Sequence, residues 1–197
     1  MRPQARTRSG NHRLVKFLLV VIVLAVAAGL LVHARRASGT HNVKQVTAVA
    51  SAPRLAPCRK NTDPHLVLVS ISQRHLWACD GATQVYDSAV VTGMEKLPAD
   101  LTPVGTYHIY AKQTGLYLNG SDSTGSWHDY VHYWMPFLDN QYGTYGFHDA
   151  TWRPNNAFGN ISPDSSNASH GCVELPLSTA AWLYNWAAVG TTVTVQA

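Results

Sequence analysis

The chain of 197 residues, 46% apolar and 13% charged, is long enough for one ordinary domain with appendages. Its formal charge of +4 and pI near 9.1 come from one end: seven of the 15 Lys and Arg precede Ala37, whereas residues 61–197 carry four against all 11 Asp and Glu, a formal −7. Basic charge so confined excludes an extended cationic face, and with it nucleic acid as a partner.

Arg2, Arg6, Arg8, Arg13 and Lys16 make residues 1–16 a basic tail. Phe17 to Val32 is then an unbroken apolar run, extended by Leu14-Val15 beyond Lys16, which can snorkel. That is short of the ~20 residues of a comfortable span, yet it has no polar face, as a buried core helix would. Residues 17–34 are therefore expected to form a transmembrane signal anchor. Five cationic residues precede it and two, Arg35 and Arg36, follow, which keeps the N-terminus cytoplasmic and the remainder outside. The alternative is a cleaved signal peptide ending at Ala25-Val26-Ala27 or Val32-His33-Ala34, which exports the same part. Residues 35–60, with no apolar period, read as a flexible linker, and 61–197 as the catalytic domain.

An oxidising compartment favours a disulfide between two of the three cysteines. Cys58 and Cys79 flank a predicted strand, which leaves Cys172 as the free thiol; three unpaired buried cysteines are the alternative. His65 to Ser72, Arg74 to Cys79, Thr83 to Thr92 and Thr106 to Ala111 read as strands, with Asp80-Gly81 as a hairpin turn and Thr102-Pro103-Val104-Gly105 as another turn. From Thr114 to Asn140, aromatic residues sit among Gly, Ser and Asp, which suits either a lid over a cleft or an ordinary hairpin. Thr144 to His148 predicts a strand that delivers His148 at its end. Pro176 to Ala188 predicts the one convincing helix of this part, and Thr191 to Gln196 a closing strand. Mostly β with one C-terminal helix implies a sandwich or open barrel.

Cys172 lies in a Gly-flanked polar turn, Ser169-His170-Gly171-Cys172, a poor place for an inert core thiol. A cysteine attacks as thiolate and needs a base; His148 at a strand end is the favoured one, and His170, only two residues away, the other. Asp149, by its carbonyl or its carboxylate, or Ser169 can fix the tautomer of the base. The amides of Gly171 and Cys172 can converge on an oxyanion. Two other readings compete: a zinc site drawn from His148, His170, Cys172 and His128 or His132, whose spacings match no metal motif, and a binding module with an incidental cysteine.

These residues resemble the L,D-transpeptidase catalytic domain, also called the YkuD domain, over about Pro64 to Val195. Its signature is a histidine followed downstream by Ser/Thr-x-Gly-Cys, here His148 and Ser169-His170-Gly171-Cys172-Val173. Thr92-Gly93 and Thr102-Pro103-x-Gly105 resemble its upstream motifs, and His148-Asp-Ala-Thr-Trp152-Arg153 with Phe158-Gly159 resembles its actinobacterial type. The resemblance implies a β-sandwich-like fold, peptidoglycan stem peptides as substrate, and attack by Cys172 on the carbonyl before a terminal D-Ala. A thioester and a 3-3 crosslink would follow, with no metal or other cofactor. It also implies inhibition by carbapenems and a base oriented by the backbone carbonyl of Asp149. Tyr145, Trp152 and Arg153, around the base, are the expected substrate-binding residues. The position two after the cysteine is commonly Arg or Asn in the family; Glu174 stands there. A carboxylate so placed raises the thiol pKa or alters which stem is held, so L,D-carboxypeptidase action or protein attachment to peptidoglycan stays open.

Overall fold

In a computed structural model of the chain, residues 57–123 and 125–197 are described. The expected basic tail, the anchor at 17–34 and the linker as far as residue 56 lie outside the described residues. Among those described, no helix is long and apolar enough to cross a membrane.

Strands β1 (His65–Ser70), β2 (His75–Asp80) and β3 (Thr83–Ala89) form an antiparallel meander. β9 (Thr192–Gln196) runs parallel to β1 and carries β4 (Gly105–His108) antiparallel on its other edge, giving the order β3-β2-β1-β9-β4. The second sheet has the order β5-β6-β7-β8, from β5 (Gln113–Asp122), β6 (Gly125–Asn140), β7 (Gly143–Asp149) and β8 (Val173–Leu175). The helix α1 (Leu177–Trp186) packs on β6 and β7.

One apolar cluster joins the two sheets. Val67 and Val69 of β1, Val193 and Val195 of β9, Met135 and Phe137 of β6, Phe147 of β7, Val173 and Leu175 of β8 and Leu183 of α1 all bury their side chains in it. Alternation along each strand puts these residues on one face, and full burial of each large side chain contributes about 1.5–3 kcal/mol. The mainly β two-sheet fold with one C-terminal α-helix is as expected.

The segment 114–140, expected as a lid or a hairpin, is a long antiparallel hairpin. Three details differ. The strand expected to run to Thr92 leaves the first sheet after Ala89, and Val91 then exchanges backbone hydrogen bonds with Glu174 of the second. The linker expected to reach residue 60 stops earlier, because Cys58 is buried and bonded to Cys79, with Cα atoms 5.6 Å apart. Finally, β8 was not anticipated.

Candidate active site

The site is built on the parallel pair β7–β8. Phe147 faces Val173, His148 faces Glu174, and Asp149 faces Leu175 across the ladder. Phe147, Val173 and Leu175 point into the core, so period-two alternation sends His148, Glu174 and Cys172 to the opposite face. There they line one cleft of about 470 Å³. Parallel pairing thus brings together a thiol and an imidazole 24 positions apart in sequence.

His148 is buried, and its Nδ1 donates to the carbonyl of Asp149 at 2.9 Å, which leaves Nε2 as the proton acceptor. The Asp149 carboxylate is committed elsewhere: Oδ1 accepts from the backbone N–H of His132 (2.8 Å) and Tyr133 (2.9 Å), and Oδ2 pairs with His132 Nδ1 (2.8 Å). Of the alternatives for orienting the base, the carbonyl is the one in place.

Cys172 is the free cysteine among the described residues and is half-buried. Its Sγ lies 3.9 Å from the carbonyl of Thr144. Burial pushes the thiol up to about 12; the charge of Glu174 adds to the rise, against a backbone hydrogen bond from Gly146. At neutral pH the thiolate is then about one part in ~10⁵, and attack requires a base that takes the proton as the bond forms.

The turn before Cys172 is braced by the upstream motifs. Thr102 Oγ1 accepts from Gly93 N–H and donates to the Gly171 carbonyl, both at 2.8 Å. Gly171 has φ +105°, and a Cβ there would stand 2.4 Å from the Tyr145 ring, so only glycine fits. Ser169 Oγ donates to the Cys172 carbonyl and accepts the Gly171 N–H at 3.2 Å. This corrects two expectations: Ser169 holds the turn rather than the base, and the Gly171 amide is engaged within the turn, leaving the Cys172 amide as the oxyanion candidate of that pair.

His170 turns toward the β5–β6 hairpin. It stacks on Trp127, with ring centroids 3.9 Å apart, and its Nε2 is 3.8 Å from Asp122 Oδ2. Neither Asp100 nor Asp122 stood out in sequence, where two isolated aspartates carry no spacing signal, yet both line the cleft with His170. Burial first, then the hydrogen bond and charge of Asp122, push the Asp100 carboxyl up to about 6, while His170 lowers it. The hairpin combines both expectations for its segment: Val131, Met135 and Phe137 are core, while Leu118, Asp122 and Trp127 wall the cleft.

The three expected substrate-binding residues part company. Trp152, 44% exposed, lies at the cleft with its ring centre 5.9 Å from that of His148. Tyr145 lines the cleft, but its hydroxyl donates to the Ala99 carbonyl at 2.8 Å. Arg153 is not a lining residue. Its Nε and Nη2 form a two-pronged pair with the Glu174 carboxylate, and Nη1 donates to Asn167 O at 2.9 Å. The guanidinium is thus spent on the scaffold, and it neutralises the carboxylate that follows the nucleophile. Among the described residues, the expected zinc set of His148, His170 and Cys172 is not assembled as a ligand cluster; the one that is comprises Asp100, Asp122 and His170.

Residues 64–195 match the model of the family described as YkuD, the L,D-transpeptidase catalytic domain. The protein YciB of Bacillus subtilis (strain 168) is 20% identical over 118 residues, 59% of this chain and 57% of that one. The crystal structure of an Enterococcus faecium L,D-transpeptidase mutant superposes with a TM-score of 0.58 at 26% identity, over 67% of this chain and 49% of that one. The catalytic domain of the E. faecium L,D-transpeptidase acylated by ertapenem gives 0.55 at 26% identity, over 67% of this chain and 96% of that one. The chain therefore spans roughly half the length of the first two.

Proposed function

Because this chain belongs to the L,D-transpeptidase (YkuD) catalytic-domain family, we propose that it is a peptidoglycan L,D-transpeptidase that forms 3-3 crosslinks through a thioester on Cys172. The observation that carries this reading is the placement of Cys172 and His148 on one face of β7–β8, in one cleft, with the Nδ1 proton of His148 held by Asp149.

The donor is a tetrapeptide stem. Cys172 Sγ attacks the carbonyl that precedes its terminal D-Ala while His148 Nε2 takes the thiol proton. The tetrahedral oxyanion is met by the Cys172 amide. Collapse breaks the C–N bond, His148 returns the proton to the departing D-Ala amine, and a thioester remains. An amine from a second stem then attacks the thioester, His148 takes its proton, and as the C–S bond breaks His148 returns that proton to the departing thiolate, restoring the thiol. Water in place of the amine would give L,D-carboxypeptidase action. Trp152 and the hairpin wall supply the contact surface for the stem. The basic tail and apolar run of residues 1–34 support a single-pass anchor that holds the domain outside the cytoplasm.

A carbapenem is the convenient probe, since a related catalytic domain is described as acylated by ertapenem. Intact-mass spectrometry is expected to find one covalent adduct on the wild-type chain and none on Cys172→Ala; an adduct on the variant would refute the nucleophile. Incubation with tetrapeptide stems is expected to yield free D-Ala with 3-3 dimers. Trimmed monomers alone would replace the transpeptidase reading with the hydrolytic one, and stem binding without D-Ala release would leave only a binding module.

A further inference from the structure

Three segments far apart in sequence bring Asp100, Asp122 and His170 to one wall of the cleft. Asp100 lies on the loop between β3 and β4, Asp122 ends β5, and His170 sits in the turn before Cys172. A carboxylate oxygen from each aspartate and an imidazole nitrogen lie within 4.8 Å of one another. The His170 Nε2 to Asp122 Oδ2 separation is already 3.8 Å. Three ligand atoms held about 2.1 Å from one tetrahedral cation stand about 3.4 Å apart, so the set closes on an ion with side-chain shifts of up to about 1.4 Å, within the reach of rotamer adjustments.

A second observation points to a cation. Asp100 is 2% exposed, and its Oδ2 is buried and accepts no hydrogen bond from the described residues. A buried anionic oxygen is costly unless something positive meets it. The described lining of the cleft includes Asp100, Asp122, Asp129 and Glu174 and neither Lys nor Arg; Glu174 has Arg153, but Asp100 has a second carboxyl, that of Asp122, against it and the imidazole of His170 beside both. The stacking of His170 on Trp127 does not compete. It uses the face of the ring, with planes 12° apart, whereas a metal is bound in the ring plane through the nitrogen lone pair.

We propose that Asp100, Asp122 and His170 form a divalent transition-metal site at the wall of the cleft, separate from the Cys172–His148 pair. Two carboxylates with one imidazole suit zinc(II) or manganese(II), with the remaining positions open to water or to a substrate oxygen. A bound ion would tie the 95–104 loop, the end of β5 and the Cys172 turn together, and would place positive charge in an otherwise acidic cleft. It takes no part in the acyl transfer proposed above, and its test is independent of it.

The experiment titrates zinc(II) alone into the full chain after stripping with a chelator, reading stoichiometry and affinity by calorimetry. Cys172→Ser serves to remove the thiol, a competing zinc ligand. One zinc per chain is expected in both wild type and Cys172→Ser. Asp100→Asn and Asp122→Asn, near-isosteric changes whose folding is checked by circular dichroism, are each expected to weaken binding more than ~10-fold. His170→Gln is expected to do the same while leaving the catalytic pair in place. No saturable binding by the wild type, equal affinity in the Asn variants, or loss of binding in Cys172→Ser, which would assign the metal to the thiol, would each overturn the site.

Discussion

Arg153→Gln tests whether the Arg153–Glu174 pair is scaffold or substrate contact. Glu174 is 5% exposed and directly follows the core residue Val173, so it cannot swing out to water without disrupting β8. Removing the guanidinium leaves a buried carboxylate without its two charged donors and the Asn167 carbonyl without its third. Breaking one partner of a buried pair costs about 3–5 kcal/mol. The Arg153 side chain is itself 15% exposed, so some water reaches the pair and the lower end, about 3 kcal/mol, applies. For a domain of this size that is a fall in Tm of roughly 10 °C. Glu174→Gln in the same chain removes the stranded charge, and the double variant is expected to recover about 2 kcal/mol of the loss. Urea denaturation followed by tryptophan fluorescence measures both, with carbapenem acylation alongside. A cost below about 1 kcal/mol for the single variant, or a double variant no more stable than the single, would refute the buried-pair reasoning. If instead the double variant regained stability but not acylation, Arg153 would hold substrate after all.

Further outcomes are expected at the turn and the thiol. Thr102→Val strands the Gly93 N–H and the Gly171 carbonyl at about 1–3 kcal/mol each, and should slow acylation, while Thr102→Ser restores both; urea midpoints and acylation rates check this. Gly171→Ala should abolish acylation and lower Tm, since it combines φ +105° with a clash against Tyr145. With a thiol pKa near 12, alkylation of Cys172 by iodoacetamide in chelator-containing buffer should rise about tenfold per pH unit from 7 to 10. It should be faster in Glu174→Gln, because the carboxylate raises that pKa; a plateau near pH 8 would contradict the burial. Reduction of Cys58–Cys79, which closes a separation of 21 residues, should cost about 3 kcal/mol in urea denaturation.

Local patterns were legible where each element faces a dry core. The run in β9 alternates because its inward positions meet only apolar neighbours, β1 is apolar throughout because Leu66 and Leu68 are buried on its other face with Cys58 and Cys79, and α1 is entered at Pro176 and ends where Ala187 turns extended. The hairpin was legible only as one of two alternatives, for the same reason inverted. In β5, Leu118, Gly120 and Asp122 are half-buried and Tyr117, Asn119 and Ser121 exposed, but both sets line the wet cleft, so polarity no longer marks the side. At three residues, β8 is shorter than any period can report.

The functional residues divide along a related line. Cys172 and His148 were legible because their chemistry needs particular residue types in an unusual setting, a thiol in a glycine turn and an imidazole at a strand end. Roles that depend on which strands pair were not. Arg153 and Glu174 are 21 positions apart, and a basic residue near a base reads as a substrate contact until the parallel β7–β8 ladder carries it against the carboxylate. The same ladder explains why Glu174 is tolerable two residues past the nucleophile. Alternation puts it on the cleft face with Cys172, where a carboxylate opposes thiolate formation, and Arg153 pairs with it from behind. A family position commonly filled by Arg or Asn can thus become Glu if a guanidinium is supplied from the segment after β7, so the two positions should be read as one unit.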